Sequence, residues 1–280
     1  MRFANRLQAA TERNNSLLCV GLDPDIRRFP AHLGTDPAAI VSFNREIIEA
    51  TIDLVCCYKP NLGFYMAYGV AGLEALNETR RIIGDRVPVL LDAKVGDIGT
   101  TSEAYARGYF ETLGFDAVTV HPYMGFDGVE PFLGYEDHAA FILVKTSNPG
   151  SKDVQDLPLA GGAHRPLYQH VAEQVQQWNN RFGNCGIVAG ATWPSELAAI
   201  RQVCPDLPIL IPGIGNQGGD LEAALHAGLD ARGAGVLVNS SRNIIYAGNG
   251  EDFARAARRA ALSLRDEINQ VRLAHKRVLS

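Results

Sequence analysis

The most informative stretch of this chain is Val89-Leu90-Leu91-Asp92-Ala93-Lys94-Val95-Gly96-Asp97-Ile98, in which an apolar run leads into three charged residues. Alternate residues of a strand share a face, so Asp92 and Lys94 should project to the same side, with Asp97 on the loop that follows. A nearby opposite charge favours the ionised form of a side chain, so a lysine held between two carboxylates stays charged and can donate a proton. A surface ion-pair cluster, which stabilises a protein little, would have the same spacing.

Eight apolar runs recur along the chain, and several are near-continuous, as expected for parallel strands that are covered on both faces. The predicted strands are residues 17–22, 55–59, 87–91, 117–121, 141–145, 186–190, 208–212 and 235–239. Helical periodicity is found in residues 38–54, 101–113, 167–181, 195–203, 221–227 and 253–271. Strands that alternate with helices predict βαβ units and a parallel sheet. Eight units favour an α/β fold, a (β/α)8 TIM barrel with a single domain over residues 1–280, and an open doubly wound sheet is the alternative.

The composition narrows the possible partners. A net charge of −5, from 26 basic and 31 acidic residues, argues against a nucleic-acid partner, which usually requires a basic face. Residues 1–15 contain no apolar signal-peptide core, and no apolar stretch has the length of a membrane span, so no membrane partner is expected. The five cysteines include no C-x-x-C pair, which argues against a zinc site or a disulfide framework. A reducing compartment is favoured, and the sequence predicts a cytoplasmic protein.

Polar side chains follow the predicted strands at their carboxyl ends, which converge on the catalytic face of a barrel. They are Asp23, Lys59, Asn61, Asp92, Lys94, His121, Lys145, Ser147, Thr192, Ser241 and Arg242. Four of them are cations on an acidic chain, namely Lys59, Lys94, Lys145 and Arg242. This local excess of positive charge predicts an anionic small substrate. His121 has no second metal ligand at a suitable spacing, so we expect a structural or pocket-wall role for it.

A phosphate site is predicted where the seventh and eighth strands end. Residues 211–220, Ile-Pro-Gly-Ile-Gly-Asn-Gln-Gly-Gly-Asp, follow the seventh strand and precede a helix. Glycines such as Gly213 and Gly215 let the backbone approach a ligand closely, with N–H groups free to face it. Arg242 follows the eighth strand and suits phosphate as a bidentate donor, and barrels commonly bind phosphate between these two loops. A glycine-rich turn beside an unrelated surface arginine would give the same pattern.

These motifs resemble those of the orotidine 5′-monophosphate decarboxylase family, whose members form UMP. The resemblance covers nearly the whole chain, and its most specific part is the Asp-x-Lys-x-x-Asp-Ile block of residues 92–98. The other stretches that carry it are residues 20–24, 58–61, 146–150 and 212–219 and Arg242. Residues 190–192 and the long segment 148–166 are similar to the longer bacterial subgroup, so we expect an inserted loop near 148–166.

The resemblance implies a role for each residue of the charged block. Lys94 is the expected proton donor to C6 of the substrate, and Asp92 is expected to lie beside the substrate carboxylate and to hold Lys94. Lys59 would join this array and touch the ribose. Asp97 and Thr101 would reach into the site of a partner subunit, so that each site of a homodimer needs both chains.

The resemblance also implies how the nucleotide is held. Asp23 is expected to bind a ribose hydroxyl, and Ser147 to contact the pyrimidine. Gln217 and Arg242 would bind the phosphate, while the loop 212–219 closes over it. That loop includes the expected substrate-binding residues Pro212, Gly213 and Gly215. The implied substrate is orotidine 5′-monophosphate, and the implied reaction uses no metal and no cofactor.

Two other functions remain open from the sequence. Barrel relatives such as 3-keto-gulonate-phosphate decarboxylase and hexulose-phosphate synthase share the Asp-x-Lys-x-x-Asp block but use it with Mg²⁺ on sugar phosphates. The motif of residues 59–61, Ser147 and Gln217 favour the nucleotide interpretation instead. A catalytically silent nucleotide-binding barrel is the second alternative, and the intact set of Asp92, Lys94 and Asp97 argues against it.

Overall fold

The computed structural model describes residues 1–160, 165–214 and 220–279, and within these ranges eight strands form one parallel sheet. The strands are β1 (Leu18–Leu22), β2 (Cys57–Pro60), β3 (Leu90–Val95), β4 (Ala117–Val120), β5 (Ala139–Lys145), β6 (Cys185–Ala189), β7 (Ile209–Ile211) and β8 (Val236–Ser240). Their order is β2-β1-β8-β7-β6-β5-β4-β3. Isolated parallel bridges, Tyr58 to Val89 and Asn61 to Asp92, join β2 to β3 and complete the ring. The predicted (β/α)8 barrel is therefore confirmed over the open sheet.

Helices alternate with the strands, and an observed helix overlaps each of the six predicted helical segments. They are α1 (Phe3–Asn14), α2 (Ala39–Thr51), α3 (Leu62–Met66), α4 (Gly69–Ile83), α5 (Gly99–Arg107), α6 (Phe126–Leu133), α7 (Leu167–Phe182), α8 (Pro194–Val203), α9 (Leu221–Gly228), α10 (Arg242–Ile245) and α11 (Phe253–Leu279). The predicted helix 101–113 continues beyond α5 as a π-helical turn, Gly108–Thr112. Short 3-10 turns are Ile26–Arg28, Ala31–Leu33 and Pro149–Asp153.

The strand β3 ends in a bulge that the sequence does not reveal. It begins at Leu90 and continues past the predicted end, residue 91, to Val95. Its register against β4 shifts between Leu91 and Val95, and Lys94 has a φ of 48°, in the left-handed region. A bulge bends a strand and redirects its side chains, so regular alternation does not hold here. Asp92 is buried, whereas Lys94 is exposed.

The strands divide their side chains between two apolar layers. In β1, Leu18 packs into the large cluster shared with the helices, while Cys19 belongs to the second cluster with Phe141 and Leu210. Phe3 of α1 meets Phe141 edge-on, with ring centroids 5.6 Å apart, so the start of α1 packs on the second cluster. All five cysteines are free and buried; four of them, Cys19, Cys56, Cys57 and Cys185, lie within or beside the apolar runs of the sequence, where small hydrophobic residues are expected.

The segment between β5 and α7 contains the 3-10 turn Pro149–Asp153 and an antiparallel bridge between Pro158 and Pro166. Its interpretation as an inserted loop and the assignment of residues 1–280 to one domain stay predictions. Among the described helices, none combines the length and the apolar character that crossing a membrane requires.

Candidate active site

A cavity of about 510 Å³ opens where the carboxyl ends of the strands meet. This volume is within the range of small-molecule sites, and the carboxyl end is where (β/α)8 proteins place them. Eight residues that the sequence proposes for the site line it: Asp23, Lys59, Asp92, Lys94, Ser147, Pro212, Gly213 and Arg242. Gly215 and Gln217, the remaining candidates of the glycine-rich loop, lie outside the described residues.

The carboxylate of Asp92 is the centre of the site, because each of its oxygens accepts two hydrogen bonds. Oδ1 accepts from Lys94 Nζ at 2.5 Å and from Thr119 Oγ1 at 3.0 Å. Oδ2 accepts from Lys59 Nζ at 3.2 Å and from Asn61 Nδ2 at 2.9 Å. Hydrogen bonds to both oxygens fix the orientation of a buried carboxylate and stabilise its charge.

Lys59 and Asp92 hold each other in their charged forms. Burial raises the pKa of the Asp92 carboxyl, but Lys59 and Lys94 outweigh burial and keep that pKa well below its usual range. Burial lowers the pKa of Lys59, whose side chain is 4% exposed, yet Asp92 and Asp23 reverse this and raise it above its usual range. Asp92 and Lys59 are therefore both charged at neutral pH, and perturbed groups of this kind in a cleft mark a candidate active site.

Lys94 contacts Asp92 and also lines the cavity. Its backbone N–H donates to Thr119 Oγ1 at 2.9 Å, while its side chain is 48% exposed and lines the cavity. The ammonium of Lys94 has three N–H donors, so its bond to Asp92 leaves donors for a ligand. The sequence expects a second carboxylate, Asp97, beside Lys94. Within the described part of this chain, Asp97 instead accepts from the Ile98 N–H at 2.8 Å.

Asp97 and Thr101 follow β3 but do not line the described walls of the cavity. Thr101 is exposed on α5. The Oγ of Ser102 donates to the Asp97 carbonyl at 2.8 Å and to the Gly128 carbonyl of α6 at 3.0 Å, which ties this loop to the helix layer. The expected contribution of Asp97 and Thr101 to a partner's site stays a prediction.

Lys145 is expected among the cations of the mouth, and this prediction is wrong. Its side chain is 1% exposed, donates to Asp156 Oδ1 at 2.5 Å and lies 5.1 Å from the ring centroid of Trp193. It is absent from the described lining of the cavity. Asp156 belongs to the segment between β5 and α7, and a strand-end pattern cannot show that this segment folds back onto β5.

Other parts of the cavity lining hold groups that suit a sugar and an anion. The Oδ1 atom of Asp23 is buried and has no hydrogen-bond partner within the described ranges, so an acceptor is available to a hydroxyl group. Arg242, the first residue of α10, is exposed at the mouth, and no ion pair joins it to a described carboxylate. Gly213 has a φ of 96°, which favours glycine at this turn.

Sequence reasoning missed Thr119 and understated Asn61. Thr119 is a buried residue of β4, and its hydroxyl joins the Asp92 carboxylate to the backbone of Lys94. The signal in the sequence that could have identified Thr119 is that it is the one polar residue of an otherwise apolar strand.

His121 is not among the lining residues that the structure describes, and a Cβ at Gly96 would lie 2.3 Å from its Nε2 atom. His121 therefore packs against the loop after β3, in agreement with the structural role expected for it.

Over residues 1–160, 165–214 and 220–279, no group of three or more His, Cys, Asp and Glu side chains is placed to hold a metal ion. The hydrogen-bonding side chains of the described cavity lining are lysines, an arginine, carboxylates, hydroxyls and amides.

Comparison with known proteins gives one consistent result. The profile of the orotidine 5′-phosphate decarboxylase / HUMPS family matches residues 16–257. The orotidine 5′-phosphate decarboxylase of Thermomicrobium roseum is 57% identical over 272 residues, which span 97% of this chain and 96% of that protein. The structure of Leishmania donovani OMP decarboxylase is 42% identical, with a TM-score of 0.85 and coverage of 98% of this chain and 99% of that one. A Toxoplasma gondii structure reaches a TM-score of 0.93 at 39% identity and covers 100% of this chain and 99% of its own.

Proposed function

Because the chain belongs to the orotidine 5′-phosphate decarboxylase / HUMPS family, we propose that it converts orotidine 5′-monophosphate (OMP) to UMP and CO₂ in pyrimidine biosynthesis. The observation that carries this proposal is the buried Asp92 carboxylate between Lys59 and Lys94 on the wall of the mouth cavity. The names of the similar proteins from Thermomicrobium roseum and Leishmania donovani support the same reaction. We also propose that the protein is cytoplasmic, because its five free cysteines favour a reducing compartment.

The proposed reaction exchanges a carboxylate for a proton at C6 of the pyrimidine. The bond between C6 and the carboxylate breaks, CO₂ leaves, and the electron pair stays on C6. Lys94 Nζ then gives a proton to C6 and completes UMP, and the amine regains a proton from water. Asp92 would lie beside the departing carboxylate, where its charge also holds Lys94 in place. The proposal includes no metal and no cofactor.

The energy that this reaction requires exceeds what one lysine can supply. The reduction in barrier lies toward the upper end of the range for enzymes, roughly 20 kcal/mol. A charge pair at about 4 Å contributes only about 4 kcal/mol at an effective dielectric constant near 20. Charges that are fixed in advance around C6 must therefore act together with binding energy from remote parts of the substrate.

The phosphate of OMP supplies that remote binding energy in our proposal. Arg242 would grip it as a bidentate donor, together with Gln217 and the backbone of the loop 212–219. Closure of that loop over the phosphate would exclude water from the charged array and commit the substrate to reaction. Asp23 and Lys59 would hold the ribose hydroxyls, and Ser147 would contact the pyrimidine.

We also propose a homodimer in which each chain completes its partner's site. Most of the exposed large hydrophobic residues lie between β2 and α6, namely Phe64, Met66, Val70, Leu73, Ile98, Tyr105, Tyr123 and Met124. Contiguous exposed apolar surface marks an interaction site. Asp97 and Thr101 lie in the same sector of the barrel, outside the described lining of their own cavity. A second copy that covers this sector would bury the apolar residues and bring Asp97 to the partner's array.

The competing Mg²⁺-dependent reaction on sugar phosphates is distinguished by what the cavity offers. In that reaction the Asp92 and Asp97 carboxylates would hold a metal ion. In the described chain, both oxygens of Asp92 already accept hydrogen bonds from side chains, two of them lysines. Lys94 belongs to the block that both reactions share, so the distinguishing group is Lys59, whose charge beside Asp92 opposes the approach of a divalent cation. The nucleotide reaction therefore fits the site better.

The test is the loss of OMP absorbance on addition of purified protein that has been treated with EDTA. Turnover in EDTA, with UMP as the product, is the expected result. Activity that appears only after Mg²⁺ is added would support the sugar-phosphate relatives instead. A protein that binds UMP but turns over no OMP under either condition would be a silent binding barrel, and the proposal would fail.

A further inference from the structure

The residue after β5, Thr146, is held by hydrogen bonds at its backbone and at its side chain. Its N–H donates to Gln155 Oε1 at 2.8 Å, and its Oγ1 accepts from Gln155 Nε2 at 2.9 Å. Its carbonyl accepts from the Trp193 indole N–H at 2.9 Å. Because Thr146 and Ser147 both line the cavity, these bonds fix the position of one stretch of the cavity wall.

Gln155 uses both ends of its carboxamide on the same residue. A backbone N–H can only donate, so the amide oxygen must face it and the amide nitrogen is left to donate to the hydroxyl. The Thr146 hydroxyl then gives its own proton to Asn148 Oδ1 at 2.7 Å. Two bonds from one planar group set both the position and the orientation of Thr146, which a single bond would not do.

The segment that carries Gln155 is itself anchored. The Gln155 N–H donates to the Ser151 carbonyl at 2.8 Å, and its carbonyl accepts from the Tyr168 N–H of α7 at 2.9 Å. The next residue, Asp156, pairs with the buried Lys145 of β5. Two consecutive residues of the segment thus hold two consecutive residues at the end of the strand.

The end of β6 confines Ser147 from the other side. Thr192 Oγ1 donates to the Ser147 carbonyl at 3.0 Å. A Cβ at Gly190 would lie 2.7 Å from the Ser147 Cα, so glycine is needed for this close approach. Ser147 is therefore placed by its neighbours before any ligand binds, and Gln155 is the neighbour that fixes the residue before it.

We propose that Gln155 is a positioning residue for recognition of the base. It holds Thr146, and through Thr146 it holds Ser147 against the pyrimidine, although it does not itself line the described cavity. This inference rests on the proposed function, in which Ser147 contacts the pyrimidine. It follows that Gln155 matters for ligands that carry the base, and not for ribose 5-phosphate, which has the sugar and the phosphate alone.

The test compares Gln155→Leu, Gln155→Glu and Gln177→Leu with the wild type. Gln177 is an exposed glutamine of α7 and is the matched control. The measurements are kcat and KM for OMP and the Kd values of UMP and ribose 5-phosphate. We expect Gln155→Leu to weaken UMP binding by about tenfold, the size of one hydrogen bond of ordinary strength, with ribose 5-phosphate binding unchanged. Gln155→Glu keeps an acceptor for the Thr146 N–H and lacks the donor, so its loss for UMP should be smaller.

Equal losses for UMP and ribose 5-phosphate in Gln155→Leu would mean that the residue supports only the fold, and would overturn the inference. Unchanged affinity for both ligands would overturn it as well. If Gln155→Leu does not fold, Gln155→Glu provides the same comparison. If the wild type turns over OMP and the Gln155 variants bind both ligands as the wild type does, only this inference fails. If the wild type does not turn over OMP, the proposed function fails and this inference fails with it.

Discussion

Lys94 is the residue whose replacement separates chemistry from binding. Lys94→Ala removes the proposed proton donor and leaves Asp92 with its bonds from Lys59, Asn61 and Thr119. We expect kcat to fall by about a thousandfold or more, within the range that general acids contribute. UMP binding should stay measurable. The OMP absorbance assay and a UMP titration check this, with Arg81→Ala, an exposed arginine on α4, as the control. Near-normal turnover in Lys94→Ala would contradict the assigned role.

Arg242 should act on the phosphate and on little else. Arg242→Ala removes charge-assisted hydrogen bonds worth about 1.5–3 kcal/mol, so KM for OMP should rise by about tenfold to a hundredfold. Orotidine, which lacks the phosphate, should react equally slowly with the wild type and with this variant. Arg255→Ala, an exposed arginine of α11, serves as the control. If orotidine turnover also falls in Arg242→Ala, phosphate binding is not the role of this residue.

Residues differ in how far the sequence predicts their roles. The contact between Asp92 and Lys94 is predicted from their closeness at a strand end, although the bulge at Lys94 breaks the regular alternation on which that prediction is based. Thr119 joins the same array from β4, but its contact depends on the bulge at Lys94, which spacing does not encode. Lys145 is predicted wrongly, since its partner Asp156 comes from a segment without periodicity. Contacts within one element are thus predictable, and contacts that depend on loop paths are not.

The loop between β3 and α5 packs tightly against His121, the residue that follows β4. A Cβ at Gly96 would lie 2.3 Å from His121 Nε2 and 2.4 Å from its Cε1. We expect Gly96→Ala to destabilise the fold by about 1–3 kcal/mol through overpacking, and to lower activity because this loop carries Asp97. Urea denaturation and OMP turnover measure the two effects.

The matched control is Gly108→Ala, since a Cβ at Gly108 would meet nothing within 4 Å. The double variant Gly96→Ala with His121→Ala should lose less stability than the sum of the single variants, because the ring that the new methyl group meets is gone. Additive losses would refute this packing explanation.

The barrel itself is the element-level feature that the sequence predicts best. Near-continuous apolar runs and helical periodicity place all eight strands within a few residues of their observed bounds. The end of β3 is the exception that affects the site, because the strand continues through its charged residues and is irregular there. Burial patterns locate elements, but a bulge depends on the pairing with β4, which lies elsewhere in the chain.

For the whole molecule, the proposed dimer predicts recovery of activity between two inactive chains. In the proposed dimer, each site takes Lys94 from one chain and Asp97 from the other. A homodimer of Lys94→Ala or of Asp97→Ala therefore lacks one of the two residues at both sites and should be inactive. Unfolding and refolding the two together gives half mixed dimers, and each of these has one site with both residues intact. Activity should therefore return to about a quarter of the wild-type value for a twofold assembly. Refolding Lys94→Ala alone is the control, and no recovery in the mixture would rule out sharing of sites.

The left-handed backbone conformation of Lys94 lowers the stability of the fold at a residue that the proposed reaction requires. Side chains with a Cβ are strained at a φ of 48°, by roughly 1–2 kcal/mol, and glycine is relieved of that strain. The ion pair of a half-exposed lysine offsets little of it. If a library at this position were screened for heat tolerance alone, glycine and asparagine should be enriched at the expense of lysine. The variants selected in such a screen would be more stable to heat and catalytically inactive. A gain in thermal stability at this position would therefore indicate a loss of function.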